Sequence, residues 1–114
     1  METITKRLKT FTKERDWDQF HTPANLSKSI IIEAAELLEH FQWNDWDYDM
    51  DQVKEELADV ILYALQLAMV LDVDLEEILN QKMNKNEKKY PVEKAYGSSK
   101  KYSAYERRDH EDPI

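Results

Sequence analysis

Gly97 is the only glycine in this chain of 114 residues, so the first 96 positions must fold without the one residue that takes left-handed backbone angles freely. Two-residue hairpins and barrel corners draw on that freedom, and an all-β architecture is therefore poorly supplied. Three prolines interrupt the chain, and 35% of it is charged, a composition that favours helix. An all-α chain follows. Its length suits one compact domain over residues 1–114 with a modest core.

Four helices can be drawn from the periodicity, giving a helical core over about residues 2–90. The first covers about residues 2–15, with Ile4, Leu8 and Phe11 at helical spacing. Thr22-Pro23 reads as an N-cap followed by proline in the first turn of a second helix that runs to about Trp43. An acidic aromatic loop, Asn44-Asp-Trp-Asp-Tyr-Asp-Met50, leads to a third helix capped by Asp49 or Asp51 and ending near Leu71. Asp74-Leu-Glu-Glu77 resembles a capping box and opens a fourth helix that stops before Pro91. Residues 91–114 are expected to form an extended arm. Short connections imply antiparallel neighbours and a small four-helix bundle.

Net charge is −8, distributed unevenly: residues 1–80 hold 7 basic and 18 acidic side chains, residues 81–108 hold 9 and 3. Such acidity repels the backbone of DNA or RNA, so no nucleic-acid polymer is expected as a partner. A small polyanion bridged by metal needs only local positive charge. Lys82, Lys85, Lys88 and Lys89 supply it, although each taken singly also fits a solvated helix end. Cysteine is absent, which removes disulfides, iron–sulfur clusters, thiolate zinc and a cysteine nucleophile. The longest apolar run, residues 58–71, carries Asp59 and Gln66 and is too short to span a bilayer. The first seven residues hold no apolar signal core. A soluble, cytoplasmic protein is expected.

Two i, i+3 carboxylate pairs, Glu33-x-x-Glu36 and Glu56-x-x-Asp59, lie in the apolar halves of helices two and three with 19 residues between them. At about 100° per residue, Glu33 falls within about 60° of Leu26, Ile30 and Leu37, and Glu36 borders the same stripe. Glu56 lies within about 60° of Val53, Val60, Tyr63 and Leu67, with Asp59 on its flank. Glu39 points away. Acid pairs of this spacing are common on solvated faces, but four acids aimed inward repel one another and raise their own pKa values unless a cation sits between them. Hard oxygen donors fit magnesium or manganese better than zinc or copper. A di-iron carboxylate bundle is the rival; its usual Glu-x-x-His element is missing, because Glu39 follows Glu36 at i+3 and His40 comes one place late.

The chain has no Gly-rich phosphate loop and no Gly-x-Ser-x-Gly elbow, so phosphate must be gripped through metal and side chains. Water activated by metal and attacking a phosphoryl centre is the economical chemistry, with a carboxylate taking the proton. Trp17, Phe20, His21, Trp43 and Tyr63 lie on or beside the ends that frame the acids, where flat rings serve either as packing or as a surface on which a nucleobase stacks. On the residues alone a non-catalytic helical module for nucleotide binding or protein interaction stays open, with the acids as polar lining.

The paired acids and their spacer resemble the E-x-x-E…E-x-x-D signature of the MazG-like, all-α nucleoside triphosphate pyrophosphohydrolases. Glu14-Arg-Asp-Trp-Asp-Gln-Phe-His21, Asn25-Leu26, Glu39-x-Phe-Gln-Trp43, Glu55-Glu-Leu-Ala-Asp-Val60, Lys82-Met83 through Lys89-Tyr-Pro91, and Ser98-Ser-Lys-Lys-Tyr102 are similar to the dCTP pyrophosphatase branch, over about residues 4–102. The resemblance implies that Glu33, Glu36, Glu56 and Asp59 hold Mg2+, with Mn2+ as a substitute, and that water splits the α–β phosphoanhydride to a monophosphate and pyrophosphate. It implies a nucleotide pocket of Trp17, Asp18, Gln19, Phe20, His21, Asn25, Trp43 and Tyr63, and phosphate contacts from Lys82, Asn86 and Lys89. It also implies a house-cleaning role on dCTP or a modified dCTP. Leu8 departs from the pattern: animal dCTP-specific relatives place a histidine there. Members assemble as dimers or dimers of dimers. An independent reason for association is that Ile61, Leu62, Leu65 and Met69 face away from the Glu56 side of helix three, where one four-helix monomer leaves them uncovered.

Overall fold

Two side-chain caps start the helices that matter most. Thr22 accepts a hydrogen bond from the Asn25 amide, with Pro23 in the first turn, and Asp49 accepts from the amides of Asp51 and Gln52. The sequence alternative between Asp49 and Asp51 as cap thus resolves to Asp49. A computed structural model of the chain describes residues 2–98 and contains α1 (Glu2–Glu14), a 3-10 turn (Asp18–Phe20), α2 (Pro23–Glu39), α3 (Met50–Val70), α4 (Leu75–Lys89) and α5 (Val92–Ala95). Every regular element among the described residues is helical, in line with the all-α expectation.

Without glycine, α1 and α3 end on aspartate. Asp16 and Asp72 both adopt φ 55°, and in each case the same pair of backbone bonds closes the helix. Asp16 N–H donates to the Lys13 carbonyl and Trp17 N–H to that of Thr12; Asp72 N–H donates to Met69 and Val73 N–H to Ala68. This is the Schellman termination, in which aspartate stands where glycine is usual because its short polar side chain tolerates the left-handed region best after glycine and asparagine.

Two expectations are corrected. The second helix stops at Glu39 instead of continuing to Trp43. Beyond it Phe41 turns its ring edge-on to Tyr48 at 4.8 Å, and Asn44 Oδ1 accepts from the amides of Trp46 and Asp47, so local side-chain bonding replaces the helix. The arm is not extended at its start: after Pro91 the amides of Lys94 and Ala95 bond to the Pro91 carbonyl and form the single turn of α5. The rest of the arm and most of the Ser98–Tyr102 motif lie outside the described residues.

The chain divides into two compact units, one running to Leu75 and the other beginning at Glu76. In the first, α3 packs chiefly on α2 and also meets α1. Leu8, Leu26, Leu65 and Ala68 are its buried apolar residues, joined by Thr12 and Gln66. This is a thin core. Ile31, Ile32 and Leu38 on α2 and Leu57 and Ile61 on α3 stay exposed, Ile31 at 69%. The second unit is α4 with α5, and no α4 residue in it is buried. No helix among the described residues is long and apolar enough to cross a membrane.

Candidate active site

The two carboxylate pairs meet where α2 and α3 pack. Glu33, Glu36 and Glu56 are half-buried, and Asp59 is exposed, so the cluster opens to solvent on the Asp59 side. Glu33 sits at its centre: its carboxyl is pushed above the ordinary range first by desolvation, then by a hydrogen bond to Glu36 and by the charges of Glu36, Asp59 and Glu56. All four predicted acids therefore lie within electrostatic reach of one another. Oε2 of Glu33 and Oε2 of Glu56 are buried without a hydrogen-bond donor.

The cluster is not drawn up into a cage. Among the described residues no three acid or histidine side chains stand close enough together to hold a metal as they are. Repulsion explains this: Glu33 leans on Glu36 through a shared hydrogen bond, while Glu56 turns to the imidazole Nε2 of His40. Glu56 Oε2 thus has an imidazole beside it without a well-aligned hydrogen bond, which is why the same oxygen is both paired and unsatisfied. Two buried carboxylate oxygens without donors and a set of hard oxygen ligands fit a divalent cation.

His40 was missed as a site residue by the sequence reading. The signal was available: it follows Glu33 by seven residues and Glu36 by four, the same face of α2. Its position just past the end of α2 lets the side chain reach across to α3.

The predicted nucleotide residues do not all fall in one place. Trp17 stands edge-on between Phe11 and His21, with ring centroids at 5.5 and 6.5 Å. Gln19 Nε2 donates to the carbonyl and to Oδ2 of Asp16, and Asn25 Nδ2 donates to the Phe20 carbonyl, so these two amides hold the 16–25 loop in shape. Asp18 and His21 line a cavity of about 400 Å³ between α1 and α3, with Thr12, Lys9 and Gln66 on its other walls. Tyr63 is half-buried on α3, seven residues after Glu56 and on the same face. Trp43 lies off the helix and is 88% exposed, and Phe20 is also exposed. Lys82, Asn86 and Lys89 belong to α4 in the second unit, at i, i+4 and i+7 and hence on one face. Leu8, at the departure from the resemblance, is buried and lines an apolar gap with Phe11 and Leu62.

Comparison with known proteins places the chain in a family. A model of the MazG-like family matches residues 28–104. The dCTP pyrophosphatase 1 of Mus musculus is 38% identical to the chain, covering 90% of it and 66% of the relative, and that of Homo sapiens gives the same figures. The chain thus spans just under two thirds of the length of these curated relatives. A crystal structure of a pyrophosphatase from Archaeoglobus fulgidus matches with a TM-score of 0.70 and 42% identity, over 80% of this chain and 92% of that one.

Proposed function

The chain belongs to the MazG-like family, and from that premise we propose that it is a nucleotide pyrophosphohydrolase acting on a nucleoside triphosphate, with dCTP or a modified dCTP as substrate. The observation that carries the reading is the convergence of Glu33, Glu36, Glu56 and Asp59, two of them with buried oxygens that lack a donor. Relatives called dCTP pyrophosphatase 1 support the base preference.

The four carboxylates would hold Mg2+, for which Mn2+ could substitute. When bound, such a cation neutralises phosphate oxygens and acidifies water. The chain's own side chains do the rest. Water attacks phosphorus, the α–β phosphoanhydride breaks, and the products are the monophosphate and pyrophosphate. One carboxylate of the set accepts the water's proton. Asp16, Gln19 and Asn25 fix the loop that presents Trp17, Asp18 and His21 to the nucleotide.

Association into dimers or dimers of dimers belongs to the same proposal. Ile31 and Leu38, seven residues apart on α2, and Leu57 and Ile61, four apart on α3, form exposed apolar stripes that a second copy would cover. Leu65 is already buried within the chain, so association has only part of the apolar face of α3 left to cover. The role is pool cleaning in the cytoplasm, where the substrate is made and used.

The reaction is tested by assaying pyrophosphate release from the common and 5-modified deoxynucleoside triphosphates under Mg2+. Release from dCTP, lost in Glu36→Gln, supports the proposal. No release from any triphosphate, or undiminished release by the variant, overturns it and leaves a non-catalytic module with this fold.

A further inference from the structure

His40 stands one residue beyond α2 and has no part in the reaction as proposed. Its backbone keeps the helical turn, φ −68° and ψ −23°, with its N–H donating to the carbonyls of Leu37 and Leu38. The next residue is fixed as well: Phe41 N–H donates to the Leu38 carbonyl at 2.9 Å, and its ring meets Tyr48 edge-on at 4.8 Å. The imidazole therefore leaves from an anchored backbone and not from a fraying end.

Spacing sends that side chain toward the acids. His40 follows Glu36 by four residues and Glu33 by seven, on the same face of α2. From there its Nε2 lies against Oε2 of Glu56 on α3. This is no surface pairing: the two side chains are 17% and 24% exposed, and Oε2 itself is enclosed. A cation arriving from solvent therefore meets the carboxylate at its other oxygen. A carboxylate shares its charge over both oxygens, so a cation at one also relieves the other.

An imidazole nitrogen and a carboxylate oxygen in contact need a proton between them, since two lone pairs would repel. Held on Nε2, that proton makes His40 a donor, and the broad χ2 torsion of the imidazole lets the N–H swing toward Oε2. Glutamate loses rotamer freedom when it ligates a metal, and a partner that already restricts it lowers that cost.

We propose that His40 is a positioning residue for the cation site: by holding Oε2 of Glu56 it fixes the rotamer of that carboxylate and leaves Oε1 as the oxygen that ligates. The inference rests on the metal reading above and adds an outer residue to it. Loss of such a partner costs about 10–100-fold in metal affinity. If the pair merely tied α2 to α3, its loss would lower stability and leave the affinity of the folded protein unchanged.

The test counts Mn2+ bound to the folded full chain by electron paramagnetic resonance, in wild type, His40→Ala and His40→Gln, with thermal melting of the same metal-free proteins. Glu56→Gln is the control that the ions counted belong to the cluster. His40→Ala is expected to raise the Kd for Mn2+ by about 10–100-fold. His40→Gln, whose amide also offers an N–H, is expected to recover most of that loss. Equal Kd in wild type and His40→Ala, with Glu56→Gln impaired, overturns the role of His40 and leaves the metal site standing. Tighter binding by His40→Ala, which would make the imidazole a competitor of the ion, overturns it too, as does a glutamine variant no better than the alanine one. A wild type whose Mn2+ binding is absent, or indifferent to Glu56→Gln, overturns the metal site and His40 with it.

Discussion

Helix α3 shows two different faces to its neighbours. Toward α2 it carries Glu56 and Asp59, opposite Glu33 and Glu36, and the contact holds buried oxygens without donors and a carboxyl with a raised pKa. Toward α1 it carries Leu62, which lines an apolar gap with Leu8, and the same helix holds the buried Leu65, so this side is ordinary apolar packing. One face stabilises the fold and the other strains it. The difference teaches that the acid face is kept for something other than stability, because apolar substitutes there would remove both desolvation and repulsion.

Substitutions should separate the faces, and the largest effect belongs to chemistry. Glu56→Gln is expected to lower pyrophosphate release by more than about 100-fold, beyond the 10–100-fold typical of groups that merely support a metal ligand. Its thermal melt should change little by comparison. Leu65→Ala gives the mirror image: a loss of about 2–4 kcal/mol in urea or thermal unfolding, with turnover per folded molecule preserved. If Leu65→Ala abolished turnover of the folded fraction, the separation of the faces would fail.

A smaller effect sharpens the acid face itself. Glu33 binds its proton more tightly folded than unfolded, so the metal-free protein has this contribution in full below the ordinary carboxylate range and loses it as pH rises through the raised folded value. Glu33→Gln does not titrate there. It is expected to flatten that part of the stability–pH curve and to exceed wild type in stability near neutral pH, although inactive. Parallel curves for the two proteins would contradict the cause assigned to the shift. The smallest change is at the helix ends: Asp72→Gly is expected to shift stability by within about 1 kcal/mol, toward stabilisation, and Asp72→Val to destabilise, since φ 55° opposes a branched side chain. Thermal unfolding of the pair measures both.

Much of this was legible in the sequence because helical periodicity and caps are local. Thr22-Pro23, Asp49 and the inward placement of Glu33, Glu36 and Glu56 need only neighbours within a few residues, whereas Asp59, expected inward with them, is exposed. What was not legible depended on contacts across the fold or on competition at an end. The helix was drawn through Phe41 to Trp43 because nothing local forbids it, whereas Phe41 leaves to meet Tyr48 and Asn44 turns the loop. His40 gains meaning only when Glu56 of another helix stands beside it. Gln66 looked like one polar interruption in an apolar run, and only the packing of α1 encloses its amide next to a cavity.

The central claim is that the α2/α3 face is strained for want of a divalent cation. Melting the metal-free protein across an Mg2+ or Mn2+ titration, beside Glu56→Gln, tests it most directly. The account predicts saturable stabilisation of the wild type, about 2.7 kcal/mol at a hundredfold excess over Kd, and little or none in the variant. No stabilisation, or the same stabilisation in both proteins, would contradict it.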